Sequence, residues 1–263
     1  MGRSTRPLLG QLLRFGALLG LSLLALQLYF LLRIALMGLL DPQSTSFQRS
    51  EIWRLATEQQ QVLWSQSWRD YAATSVHLKR AVIASEDAGF AEHSGVEWDA
   101  IEKAWSRNQR AEDRAERQNE VAERRAARKG AATTPPRKVE AKVVGGSTIS
   151  QQLAKNLFLS GERTGLRKGQ ELVITLMLEA CLPKQRILEI YLNNVEWGEG
   201  LFGAQAAARH YFGVDAARLS APQAARLAVM LPAPKRFEKN PGSAYVAGRS
   251  ATVMARMGAV TPP

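Results

Sequence analysis

The strongest pattern along the chain is an unbroken apolar stretch from Phe15 to Leu40, built almost wholly from Leu, Ala, Gly, Phe, Ile and Met. About 20 apolar residues cross a bilayer as a helix, so residues 15–40 are read as a transmembrane anchor. Arg33, its one formal charge, lies near one end, where a long side chain snorkels to the headgroups. A cleavable signal peptide is the rival reading. The run is long for a signal core, and no clear small-residue cleavage site precedes Asp41. Arg3, Arg6 and Arg14 fall in or at the end of a basic tail, residues 1–14, and Asp41 follows the span. That asymmetry predicts a cytoplasmic N-terminus with the remainder of the chain outside the cytoplasm.

Residues 41–74 are polar with scattered tryptophans (Trp53, Trp64, Trp68), which predicts a juxtamembrane stalk leading into a domain. Helical periodicity then dominates. Ser75 is placed to cap a helix running to Ala84, and a second helix starts near Val96 with Trp98, Ile101 and Trp105 as an apolar stripe. Further helical patterns cover 149–157, 166–182, 184–193, 204–211, 221–230 and 244–257, separated by Pro183, Gly198, Gly213 and Pro232-Ala233-Pro234. No alternating stretch reaches a useful strand length. The expected domain, residues 75–258, is mainly α and is followed by a short tail, 259–263.

One segment breaks the pattern. Residues 106–142 carry eleven Lys/Arg, six Asp/Glu and almost nothing large and apolar. They read as a charged insertion, helical in its first half and a loop after Thr133-Thr134-Pro135-Pro136. Either it is a solvated excursion, or its positive charge lies along anionic headgroups.

Composition adds bounds. At 263 residues and 46% apolar, the chain can bury one substantial core. A net charge of +11 fits nucleic acid, anionic lipid or a diphosphate-bearing substrate equally well. An extracytoplasmic domain removes nucleic acid as the natural partner. Cys181 is the single cysteine, so an intrachain disulfide is excluded; its apolar surroundings predict a small buried side chain.

Three segments carry candidate chemistry. Glu86-Asp87 ends an apolar helix and precedes Phe90 and His93. A carboxylate at such a rim gains proton affinity and can act as a base; the pair can equally be a solvated helix end. Gly145-Gly146-Ser147-Thr148 opens a helix bearing Gln151, Gln152, Lys155 and Asn156, which suits an anion site or simply a well-capped helix. Arg163, Arg167 and Lys168 precede Glu171, as an ordinary i,i+4 pair or as a diphosphate pocket. No His/Cys grouping has metal-ligand spacing, and no dinucleotide or Walker glycine loop appears in the sequence.

Taken in order, these segments match a known pattern. Glu-Asp-x-x-Phe-x-x-His-x-Gly runs from Glu86 to Gly95, Gly-Gly-Ser-Thr-Ile-x-Gln-Gln from Gly145 to Gln152, and Arg-Lys-x-x-Glu from Arg167 to Glu171. Lys184, Ile187-Leu188-Glu189, Tyr191-Leu192-Asn193 and Gly198 fit a fourth signature; Gly203 and His210-Tyr211-Phe212-Gly213 fit a fifth. The chain resembles the glycosyltransferase domain of class A penicillin-binding proteins (glycosyltransferase family 51), and in particular its stand-alone form, the monofunctional biosynthetic peptidoglycan transglycosylases. Ser150 stands where that family more often has threonine, and the charged insertion falls between its first two signatures.

The resemblance implies a lysozyme-like two-lobed glycosyltransferase domain preceded by one transmembrane helix, single-pass in a bacterial inner membrane with the catalytic domain periplasmic. It implies an inverting hexosyltransferase that polymerises lipid II into β-1,4-linked strands for the cell wall, releasing undecaprenyl diphosphate. Glu86 is then the general base and Glu171 the second essential carboxylate. Asp87, Phe90, His93, Ser147, Thr148, Gln151, Gln152, Lys155, Asn156, Arg163, Arg167 and Lys168 are the expected substrate-binding residues. Lys155 and Arg163 are the first choices for diphosphate contact. No cofactor is required by the sequence and no metal ligand is assigned, although the resemblance leaves a divalent cation such as magnesium open. Implied partners are lipid II, the growing glycan strand and membrane lipids, with cell-division proteins and penicillin-binding proteins beside them and no nucleic acid. A lysozyme-like lytic hydrolase and a catalytically dead divisome scaffold are the competing functions. The first has no need of the basic cluster, and the second none of Glu86 and Glu171.

Overall fold

A computed structural model of the chain describes residues 6–128, 139, 146–159, 161–162 and 164–263. The described residues form helices α1 (Arg6–Leu36), α2 (Ser46–Arg54), α3 (Val76–Glu86), α4 (Trp98–Arg128), α5 (Ile149–Phe158), α6 (Gly165–Cys181), α7 (Lys184–Asn194), α8 (Ala204–Phe212), α9 (Ala221–Met230), α10 (Pro234–Phe237) and α11 (Ala244–Arg256). Strands β1 (Ser65–Gln66), β2 (Glu196–Gly198) and β3 (Leu201–Phe202) complete them. The chain divides into two units, one of Met1–Gly95 with Ile149–Pro263 and one of Val96–Thr148.

In the first unit α3 packs against α9 and α11, while α5 lies against α6 and α7. The seam between helices is filled by Leu78, Val82, Ile83, Phe90, Ile149, Leu153, Ile174, Leu178, Ile187 and Tyr191, each buried to within 1% of full. The apolar periods predicted for α3 and α5 to α7 supply all of these but Phe90, and α3, α5 to α9 and α11 each fall within two residues of their expected ends.

Within the same unit, α1 is long and apolar enough to cross a membrane over Gly10–Leu36. Its residues are mostly exposed, unlike those of a core helix. Only the C-terminal part docks: Phe30 meets Phe158 edge-on at 5.2 Å between centroids, and Ile34 and Met37 are buried. Gln27 and Gln170 of α6 exchange two amide hydrogen bonds of 2.9 and 3.0 Å. Among the described residues the helix covers Arg6–Leu36, so it includes residues ahead of the apolar run and ends before Leu40.

Two details go beyond the sequence pattern. Residues 41–74, read as a stalk and domain entry, pack within the first unit. Thr45 caps α2 through a capping box with Gln48, both fully buried, and the Gln48 amide reaches Asn194 Oδ1 at 3.4 Å. The second is a small sheet ordered β1-β3-β2, parallel between β1 and β3 and antiparallel between β3 and β2, within a chain that is mainly α as expected. Ser65 pairs with Leu201 and Gln66 with Phe202, and Trp64 stacks on Phe202 at 4.4 Å. Such short strands show no alternation in sequence; distant pairing makes them.

In the second unit α4 keeps the charged segment helical as far as Arg128, as its first half predicted. The second half lies outside the described residues apart from Val139, whose backbone N–H and carbonyl both bond the Asn119 side chain. The predicted stripe does not close into a core. Trp98 and Trp105 are 69% and 66% exposed, with Ile101 half-buried.

Candidate active site

Glu86 is the last residue of α3, half-buried where the apolar face of that helix ends. Its Oε2 accepts a 3.0 Å hydrogen bond from the Gln152 amide on α5. Burial raises its proton affinity above that of an ordinary carboxylate, and the adjacent Asp87 adds to the rise. Gln152, Arg249 and Ser85 pull the other way. Glu86 therefore holds a proton more readily than a solvated carboxylate does.

Asp87 plays a different part. Its side chain is fully buried, with Oδ1 at 2.8 Å from His93 Nε2 and Oδ2 accepting from the Ile149 N–H at 2.9 Å. The Gly95 N–H donates to His93 Nδ1 at 3.0 Å, so that nitrogen is the acceptor and Nε2–H donates to Asp87. A carboxylate at the first N–H of α5 also meets the positive end of that helix. Asp87 and His93 therefore join the loop after α3 to the start of α5. Phe90 is fully buried beneath this loop, with Lys184 Nζ 4.6 Å from its ring centre. Its geometry is that of a support and not of a surface contact. Gly95 has φ of +90°, and a Cβ there would meet side-chain carbons of Thr175 and Glu179 at 2.8 Å, so the signature glycine has a steric cause.

On α5, Gln152 and Asn156 are i,i+4 neighbours, and Lys155 is one turn beyond Gln152 and exposed. Gln151 is buried. On α6, Glu171 is 3% exposed and bound by Arg167 Nη1 at 2.8 Å and by Lys168 Nζ. Two protein cations pair with this carboxylate, forming an ion trio. The Lys168 side chain is half exposed while that of Arg167 is largely covered. Ser147 and Thr148 end the second unit, half-buried and buried. Arg163 lies outside the described residues. The first unit thus places two bonded pairs on successive residues, Glu86 with Gln152 and Asp87 with His93.

One member was missed by sequence reasoning. Tyr191 of α7 is buried, and its hydroxyl donates to Gln152 Oε1 at 2.9 Å. Its place in the fourth signature was visible, but its role depends on a contact 39 positions away in sequence.

Residues 54–118 and 125–258 match the Transglycosylase family. This chain belongs to the transglycosylase family. The match starts at Arg54, inside the segment read as a stalk, and pauses only over residues 119–124, within α4. The biosynthetic peptidoglycan transglycosylase of Herminiimonas arsenicoxydans is 49% identical over 243 residues, 92% of this chain and 93% of the relative. That of Paraburkholderia xenovorans is 46% identical over 249 residues, covering 94% and 92%. That of Burkholderia pseudomallei is 50% identical over 240 residues, covering 91% and 83%. The helical architecture with its apolar N-terminal helix agrees with the family expected from the five signatures.

Proposed function

We propose that this transglycosylase polymerises lipid II into β-1,4-linked glycan strands with Glu86 as the general base. The observation that carries this reading is the half-buried Glu86 carboxylate, raised in proton affinity and tied to the helix that also bears Lys155. Glu86 takes the proton from the acceptor 4-hydroxyl. The oxygen then attacks the anomeric carbon of the lipid-linked strand from the face opposite the diphosphate. The new C–O bond forms as the old one breaks, and its electron pair leaves on undecaprenyl diphosphate, giving inversion. A sugar hydroxyl thus takes the place of water in an inverting glycosidase. The leaving group departs as an anion, so it needs charge stabilisation more than a proton. Lys155 and Arg163 are assigned to that diphosphate, with Arg167 and Lys168 as further cations held in place by Glu171.

Asp87 and His93 position the loop that follows Glu86, and Gln151 and Asn156 flank Gln152 on its helix. The basic residues ahead of α1 and Asp41 after it favour an N-in orientation with the catalytic unit in the periplasm. Incubating the full-length protein with purified lipid II tests the reading. New glycan polymer, released in step with undecaprenyl diphosphate, is expected; shortened strands from isolated sacculi without polymer would instead establish a hydrolase.

A further inference from the structure

A glutamine next to a carboxylate is not automatically a donor. Its carboxamide can present either NH2 or oxygen, the first stabilising the ionised acid and the second repelling it. At Gln152 a third helix decides. Tyr191 of α7 donates its hydroxyl proton to Gln152 Oε1 at 2.9 Å, which leaves Nε2 facing Glu86 Oε2 at 3.0 Å. The three groups come from α7, α5 and α3, and form one line of bonds in one direction.

Tyr191 is suited to hold that direction. It is 1% exposed, so its ring has no room to swing. Burial, with Glu86 and Asp87 adding to it, pushes its hydroxyl well above the usual tyrosine range. The group therefore remains a phenol, and a donor, throughout the range in which a carboxylate titrates.

We propose that Tyr191 is a positioning residue for the base: by fixing the Gln152 amide it sets the orientation and proton affinity of Glu86. The inference rests on the reading of Glu86 as the base. The other groups facing Glu86 do not replace this control. Asp87 raises its proton affinity and has both oxygens committed to His93 and the Ile149 N–H. Arg249 of α11 lowers it from an exposed position, and the Ser85 hydroxyl lowers it from the same helix. Gln152 is itself held by the buried Tyr191 hydroxyl of α7.

The test separates the inference from the reading beneath it. The Glu86 carboxyl is titrated by 13C NMR in the full-length protein in micelles, and the acid limb of kcat/KM for lipid II is measured alongside. Tyr191→Phe, which keeps the ring, should raise the Glu86 midpoint by about one pH unit, the scale of losing an oriented bond to a charged group. The acid limb should move with it, kcat should fall at low pH, and KM should stay within about twofold. Gln152→Leu should give a shift in the same direction, and adding Tyr191→Phe to Gln152→Leu should give no more. An unshifted NMR midpoint in Tyr191→Phe, or shifts that add in the double variant, overturns the relay. A shifted midpoint with an unmoved acid limb leaves the relay standing and removes Glu86 as the base.

Discussion

Glu86 sits where two requirements conflict. A base must be ionised to accept a proton, yet burial at the end of α3 favours its neutral form. Transglycosylation should therefore lose its acid limb at a pH above the ordinary carboxylate value, and a kcat/KM profile against pH reads this directly. The same conflict has a stability sign. A carboxylate with raised folded pKa favours the fold at pH below its unfolded value and loses that contribution as pH rises through the folded one. Glu86→Gln should accordingly be no less stable than wild type at neutral pH, as judged by thermal midpoint, despite being inactive. Gly203 is constrained by backbone and not by chemistry. Its φ is +80°, and a Cβ would lie 2.7 Å from the Asn193 carbonyl oxygen. Gly203→Ala should cost about 2–3 kcal/mol in denaturant unfolding, the upper range for a strained position.

The helices show how much the sequence made legible. Apolar periods located α3, α5 to α9 and α11 because each buries one face, and burial is what periodicity encodes. Helix α2 was also readable in principle: Thr45-Ser46-Phe47-Gln48 has the spacing of a capping box, hidden by the polar character of the segment. Thr45→Ala should lower unfolding stability by about 1 kcal/mol without changing the m-value. Strands β1 to β3 were not legible, since two or three residues carry no period and β1 pairs with β3 across more than 130 positions. The candidate site divides the same way. Glu86, Gln152 and Glu171 were recognisable from ordered signatures. That Asp87 holds the start of α5, that Phe90 lies under the loop, and that Tyr191 orients Gln152 each depend on contacts that local spacing does not express.

Across the first unit, the apolar helix is more than a leash. Gln27 exchanges amide hydrogen bonds with Gln170, three residues after Arg167, so α1 is docked against the helix that carries the ion trio. Arg186 ties the far end down by donating to the Met37 and Leu40 carbonyls and to Asp41. A second buried carboxylate governs the pH response of the body. Burial raises Glu196 to about 7, against the lowering effect of Lys235. Its contribution is fully present below about pH 4.5 and is lost as pH rises through about 7. Glu196→Gln should therefore match wild type in thermal midpoint near pH 4.5 and exceed it at pH 8, in scans across that range. The account as a whole stands on one carboxylate, and lipid II polymerisation by wild type and Glu86→Gln at equal folded concentration tests it most directly. A fall of about 10²–10⁴-fold in kcat with an intact thermal transition is the predicted result for removal of a general base; equal rates for the two proteins would contradict the account.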